Sequence, residues 1–246
     1  MVLVVPGRHG DDVVVGDGPP GMSLVESFGR AVCALGGAVV TVEADVDQVE
    51  RRLAAGGLRC PACSGVLAGW GWARPRQLRG PDGPVRLCPR RSRCTGCRVT
   101  HVLLPVAALL RRADVAAVIV AALAAKAVRR VGFRRIAAEL GRPAETVRGW
   151  LRRFVERADV VRSVFTVWLR AVDADPVMPE AAGSGCADAM TAIAALAAAI
   201  GRRFVLPTVS LAEATVAVSG GRLLAPGWPG PVVQHESTLP LRPITP

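Results

Sequence analysis

Two cysteine pairs constrain this chain more than any other feature. Cys60 and Cys63 lie in LRCPACSGVL and Cys94 and Cys97 in RRSRCTGCRVTH, with two residues inside each pair and 30 between the pairs. A two-residue gap lets one tight turn aim both sulfurs at a single ion, and four thiolates from two such turns close a tetrahedron around Zn²⁺. Four sulfurs leave no open coordination position, so the cofactor implied is one structural zinc whose binding contributes folding free energy. The competing readings are a redox Cys-x-x-Cys pair and unrelated thiols. Cys88 falls outside either turn and reads as a small buried side chain, as do the partnerless Cys33 and Cys186. His101 is the alternative ligand in place of a cysteine.

The spacer is suited to bring the pairs together. In QLRGPDGPVRLC, Pro81, Asp82 and Gly83 form a turn between extended runs in which Val85 and Leu87 alternate with Arg86, which predicts a β-hairpin and, with the cysteines, a zinc ribbon over 59–104. The spacer is longer than the usual roughly 15–20 residues, so GWGWARPR is expected to add a strand or loop to an elaborated ribbon. Upstream, 31–58 supplies a strand at 38–42 and a helix capped by Asp45, with Val46, Val49 and Leu53 apolar and an end near Gly56 and Gly57.

Charge is distributed unevenly. The chain carries 30 Arg but one Lys, Lys126, and no Tyr, a composition expected of a GC-rich genome, so arginine abundance alone says little. Residues 51–163 nevertheless hold 24 of the 31 basic side chains against six acids, a local net of +18, which leaves about −7 for the rest of a chain of net charge +11. Such a split points to a polyanion held by the middle third, because arginines that neutralise phosphates release counterions.

The segment GFRRIAAELGRPAETVRGWLRRF, residues 132–154, is the second specific motif. Ile136, Ala137 and Leu140 make one apolar face, Gly141 stops the first helix, and Pro143 starts a second with Val147, Trp150, Leu151 and Phe154 turned inward. With a supporting helix at 113–130 this predicts a trihelical helix-turn-helix domain over 105–157. Its second helix would present Glu145, Thr146, Arg148, Arg152 and Arg153 to a major groove. Arg148 and Arg152 are placed to read base edges, whereas Arg153, Arg134 and Arg135 suit phosphates, and Arg142 is a further DNA-contact candidate. On or beside the ribbon, Arg74, Arg76, Arg79, Arg86, Arg90, Arg91, Arg93 and Arg98 are the phosphate candidates, the last four about the second cysteine pair, with Trp70 and Trp72 near them as stacking or packing residues.

The remaining segments carry less. Residues 1–30 read as a disordered arm, 158–172 as an amphipathic helix, 173–186 as a linker, 187–225 as an Ala-rich helical region, and 226–246 as a Pro-rich disordered tail. The stripe Val160, Val161, Val164, Phe165, Trp168, Leu169 and Val172 suits a core, or a homodimer seam through 159–172. PTVSLAEATVAVSGG suits either a packed helix or an interface. No secretory leader is read at the N-terminus. The uncharged runs at 115–125 and 189–201 fall short of the roughly 20 residues a membrane span needs, so no membrane is expected and the location inferred is cytoplasmic, at the nucleoid.

The order CPAC, RCTGCRVTHVLLP, GFRRIAAELGRPAETVRGWLRRF resembles the zinc-ribbon and helix-turn-helix half of bacterial insertion-sequence transposases. It is more similar still to the short helix-turn-helix proteins of high-GC bacteria that carry this half alone. The resemblance covers residues 48–158, and weakly 219–227. It implies that Cys60, Cys63, Cys94 and Cys97 hold zinc and that residues 142–153 form the recognition helix. Such transposases cut DNA with three acidic residues holding two metal ions on a ribonuclease-H-like sheet. Here Asp173, Asp175, Glu180, Asp188, Glu213 and Glu236 are scattered among a linker, an Ala-rich helix and a Pro-rich tail.

The fold class expected is therefore α+β, mainly α: a small zinc ribbon of β-hairpins, a trihelical helix-turn-helix domain and further helices. The function expected is sequence-specific double-stranded DNA binding without catalysis, as a transcriptional regulator or transposon-associated accessory factor. The alternatives are a non-catalytic transposase remnant or subunit that needs a separate transposase as catalytic partner, and a protein- or RNA-binding adaptor.

Overall fold

A computed structural model describes residues 39–205 and 208–228, together with the backbone of two short strands near the N-terminus. Those strands, β1 (Leu3–Val5) and β2 (Val13–Val15), pair antiparallel, so the segment expected to be a disordered arm contains a short ladder of one leucine and five valines. The rest of that arm, Cys33 and all of the tail beyond Trp228 lie outside the described residues.

The chain is α+β, with a small sheet preceding the helices. Strand β3 (Val39–Val42) leads to α1 (Val46–Ala54), whose N-terminus is capped by Asp45 accepting from the Asp47 amide at 2.9 Å. Next come β4 (Leu67–Trp72), β5 (Arg76–Arg79), β6 (Pro84–Leu87), β7 (Arg90–Cys94) and β8 (Thr100–Pro105). One sheet has the order β3-β8-β7-β4, with β3 parallel to β8 and the other pairs antiparallel. The turn at Pro81–Gly83 does join a hairpin, with Leu78 opposite Val85, but β5 and β6 form a separate two-stranded sheet and carry none of the paired cysteines. The strand pair beside the cysteine turns is instead β4 with β7, which the β5–β6 hairpin separates in sequence, and GWGW lies in β4.

Val40, Val42, Val49, Leu53, Leu58, Leu67 and Leu103 bury against one another between this sheet and α1, together with Cys60 and Cys94. Val46, read as part of the apolar stripe of α1, stays half exposed because it lies in the first turn and misses the sheet.

Six further helices build the main core: α2 (Ala116–Arg129), α3 (Phe133–Leu140), α4 (Ala144–Val155), α5 (Ala158–Val172), α6 (Gly185–Arg203) and α7 (Leu211–Ser219). Gly141 caps α3 at φ 60°, a left-handed conformation glycine adopts without a Cβ penalty, and three residues separate α3 from α4. Ile136, Ala137, Val147, Trp150, Leu151 and Phe154 are all buried, as their spacing predicts.

Three expectations change in the C-terminal half. The stripe of α5 buries Val161, Phe165, Leu169 and Val172 against α6 of the same chain, with Val164 and Trp168 partly buried and Val160 exposed. Helix α6 runs 19 residues, beyond the uncharged run, and is long and apolar enough to cross a membrane. Ten of its residues are nevertheless buried in the described protein, as in a core helix. The undecided segment at 207–221 contains α7, closed by a capping box between Ser210 and Glu213 and buried from Ala214 to Ser219. The boundary of the tail also moves, because Trp228 is buried in the helical core.

Candidate metal centre and its basic surroundings

Each cysteine pair sits in a turn of the same construction. The Cys60 amide donates to Gly65 O at 2.8 Å and the Cys94 amide to Val99 O at 2.9 Å, so both turns close over the same five-residue step. In both, the residue after the second cysteine is left-handed: Ser64 at φ 57° and Arg98 at φ 65°. Neither is glycine, and this backbone costs roughly 1–3 kcal/mol at each, a strain held by the surrounding turn.

Strand register brings the two turns together. The first turn runs into β4 and the second emerges from β7, and the pairing of Leu67 with Cys94 sets them side by side. The Thr95 amide donates to Val66 O at 2.9 Å, joining one turn to the other. As a result the sulfurs of Cys60, Cys63, Cys94 and Cys97 all lie within 4.8 Å of one another, with Cys60 to Cys97 at 3.6 Å and Cys63 to Cys94 at 3.4 Å. A tetrahedron with metal–sulfur bonds of about 2.3 Å has sulfur–sulfur edges of about 3.8 Å, so this donor set fits an ion of zinc's size and preference. Gly65 is part of the fit: a Cβ there would stand 3.0 Å from the Cys94 sulfur and 3.3 Å from that of Cys63.

The site is asymmetric toward solvent, with Cys60 and Cys94 buried and Cys63 and Cys97 exposed. Burial pushes the Cys60 thiol up to about 12, whereas the Gly65 amide beside Cys63, and then its hydrogen bond with Cys94, draw that thiol down to about 6. His101, buried on β8, places Nε2 3.3 Å from the Cys60 sulfur. It therefore stands behind a complete set of four sulfurs and hydrogen-bonds one of them, as outer partners of metal ligands do. Cys88 stays outside the cluster, its thiol directed at Ala73 O, and Cys186 is buried among the helices.

The basic candidates divide into committed and open side chains. Arg90 is held by Glu50 at 2.5 Å and Gly71 O at 2.6 Å and lies over the Trp72 ring. Arg142, expected to contact DNA, is committed within the protein: Nε reaches Asp114 Oδ1 at 2.7 Å, and Nη2 reaches Gly80 O at 2.6 Å. Arg153 is half-buried and donates to Gly149 O. Arg93 lies over Trp70 and donates to Arg98 O.

Arg91, Arg98, Arg134, Arg135, Arg148 and Arg152 are exposed, as is Glu145, with Thr146 half-buried. Arg148 and Arg152 keep side-chain exposures of 63% and 66% and form surface pairs with Glu145 and Glu156. Arg134 and Arg148, from α3 and α4, both approach the Phe133 ring, so the two helices share one basic edge.

Asp114 had no assigned role in the sequence. It is 1% exposed and holds Arg79 of the hairpin β5–β6 as well as Arg142. Its signal was legible, because it is the only acid between Asp82 and Glu139 in a strongly basic tract.

No family profile, curated protein or solved structure matches the chain.

Proposed function

We propose that this protein is a non-enzymatic, sequence-specific double-stranded DNA-binding protein, with one structural zinc on Cys60, Cys63, Cys94 and Cys97. In this reading the cysteine sheet is a zinc ribbon and α2, α3 and α4 form a trihelical helix-turn-helix. Helix α4 lies in the major groove, Arg148 and Arg152 meet base edges, and Arg134 and Arg135 meet phosphates.

The observation that carries the reading is the division of α4. Val147, Trp150, Leu151 and Phe154 are buried, while Glu145, Arg148 and Arg152 project from the opposite side with little to hold them. A helix arranged so, behind a three-residue turn from a short basic helix, offers guanidinium forks to a groove without disturbing its own core. The role follows as transcriptional regulation or service to a transposon.

The test is duplex binding by the zinc-loaded chain across a salt series, using fragments of its own genomic neighbourhood. One preferred fragment, with affinity falling steeply as salt rises, is expected. Arg148→Ala with Arg152→Ala should erase that preference, whereas Arg134→Ala should weaken every duplex alike. Equal losses on specific and random duplex for all variants would refute the recognition-helix assignment. Elemental analysis of the same preparation should find one zinc per chain.

A further inference from the structure

The two tryptophans of β4 lie on opposite faces of the cysteine sheet. Cross-strand partners share a face, so Leu67, Gly69 and Trp72 lie with their partners Cys94, Ser92 and Arg90 on the side packed against α1. There Arg90 fills the space above Gly69, where an added Cβ would come within about 3 Å of the guanidinium, and it is tied to Glu50 of α1. Trp72 is itself 49% exposed, but the cation over its ring is already committed to Glu50 and Gly71 O.

Trp70 differs. Register slips between Gly69 and Gly71, leaving Trp70 as the extra residue of a β-bulge, and Gly71 at φ 117° supplies a backbone that L side chains rarely adopt. The bulge aims Trp70 outward on the face that also carries Ala68, Arg91, Arg93 and Thr100. Trp70 is 54% exposed, Arg91 is exposed, and the Arg93 guanidinium, tied to Arg98 O, sits 4.6 Å from the Trp70 ring centroid. An indole half in water contributes little to a core. Here it is backed by a small residue and fixed beside a planar cation.

We infer that Trp70, with Arg93 and Arg91, is a stacking site for an unpaired base of single-stranded DNA. An unpaired base offers a π-face to the indole and guanidinium, and its flanking phosphates match Arg91 and the exposed Arg98. A duplex cannot use the same site, because its bases are stacked on one another. This extends the DNA-binding reading from duplex to opened strands and uses residues separate from α4.

The experiment is fluorescence anisotropy of a labelled oligothymidine of roughly a dozen nucleotides, titrated with the zinc-loaded full chain. Binding is expected, weakened about tenfold or more by Trp70→Ala, largely kept in Trp70→Phe, and weakened again by Arg91→Glu, with zinc content and unfolding temperature measured for each variant. Trp70→Ala and Arg91→Glu binding like the parent, or a folded parent that ignores oligothymidine at low salt, overturns the inference. Capture of oligouridine but not oligothymidine overturns the assignment to DNA. Arg148→Ala with Arg152→Ala should leave oligothymidine binding intact. If duplex selectivity fails while Trp70→Ala still lowers oligothymidine binding, the α4 reading falls and this one stands.

Discussion

Arg142 Nε lies 2.7 Å from Asp114 Oδ1, and through that contact the turn between α3 and α4 is fastened to the segment leading into α2. The other carboxylate oxygen of Asp114 takes Arg79 at 2.6 Å, and Arg142 also reaches Gly80 O, so one buried acid ties the hairpin β5–β6 to the helical pair. Asp114 and Arg142 expose 2% and 10% of their side chains, whereas Arg79 exposes 45%.

Asp114→Ala should therefore cost about 3–5 kcal/mol, since it strands a buried guanidinium without its partner. Arg79→Ala should cost about 1 kcal/mol or less, because that pair is half in water and screened. Urea unfolding of the zinc-saturated variants would separate the two. Similar small losses from both would show that the carboxylate does not fasten these segments.

Acid should act on the metal centre through Cys63. A thiol drawn to about 6 is already a thiolate at neutral pH, whereas burial holds the Cys60 proton on. Zinc bound at the four sulfurs would have to displace whatever protons they retain. Fewer than four protons per zinc should then appear at pH 7.5, rising toward four below about pH 6, in calorimetric titrations run in buffers of different ionisation enthalpy. In the zinc-free chain the lowered Cys63 value stabilises the fold above its ordinary value of 9.0, and that contribution is lost as pH falls through about 6. Cys60 has the opposite sign: its contribution is present below 9.0 and lost as pH rises through about 12. Four protons released at pH 7.5 would contradict the Cys63 environment.

Two glycines should respond differently to alanine. At Gly141 a Cβ would meet no atom within 4 Å, so Gly141→Ala should cost only the left-handed backbone penalty, about 1–2 kcal/mol. At Gly221, φ is 72° and the added Cβ would lie 2.5 Å from Leu104 Cδ2, a buried side chain, so the same change should cost at least about 1–3 kcal/mol more. Equal thermal shifts would mean that Leu104 yields without cost.

Local chemistry was legible where it repeats at short range. The two Cys-x2-Cys turns, the Asp45 cap and the Gly141 stop each depend on residues within a few positions of one another. So do the inward faces of α3 and α4, because turn geometry and helical period are local properties. The strand β8 was hidden in RVTHVLLP, since a short apolar run does not announce its partner.

The sequence by itself determined that four cysteines in two matched turns, a basic tract and a pair of short amphipathic helices would form. Tertiary structure decided which arginines remain open. Arg90 and Arg142 read on paper like Arg91 and Arg148, yet the first two are committed to Glu50 and Asp114. It also decided that the α5 stripe is spent on α6 and that a bulge puts Trp70 beside Arg93 on one face of the sheet while Trp72 lies under Arg90 on the other. The physical reason is that an arginine or tryptophan carries the same chemistry in every context. Whether it is buried or open depends on which distant acid, carbonyl or helix the strand register and helix packing bring against it.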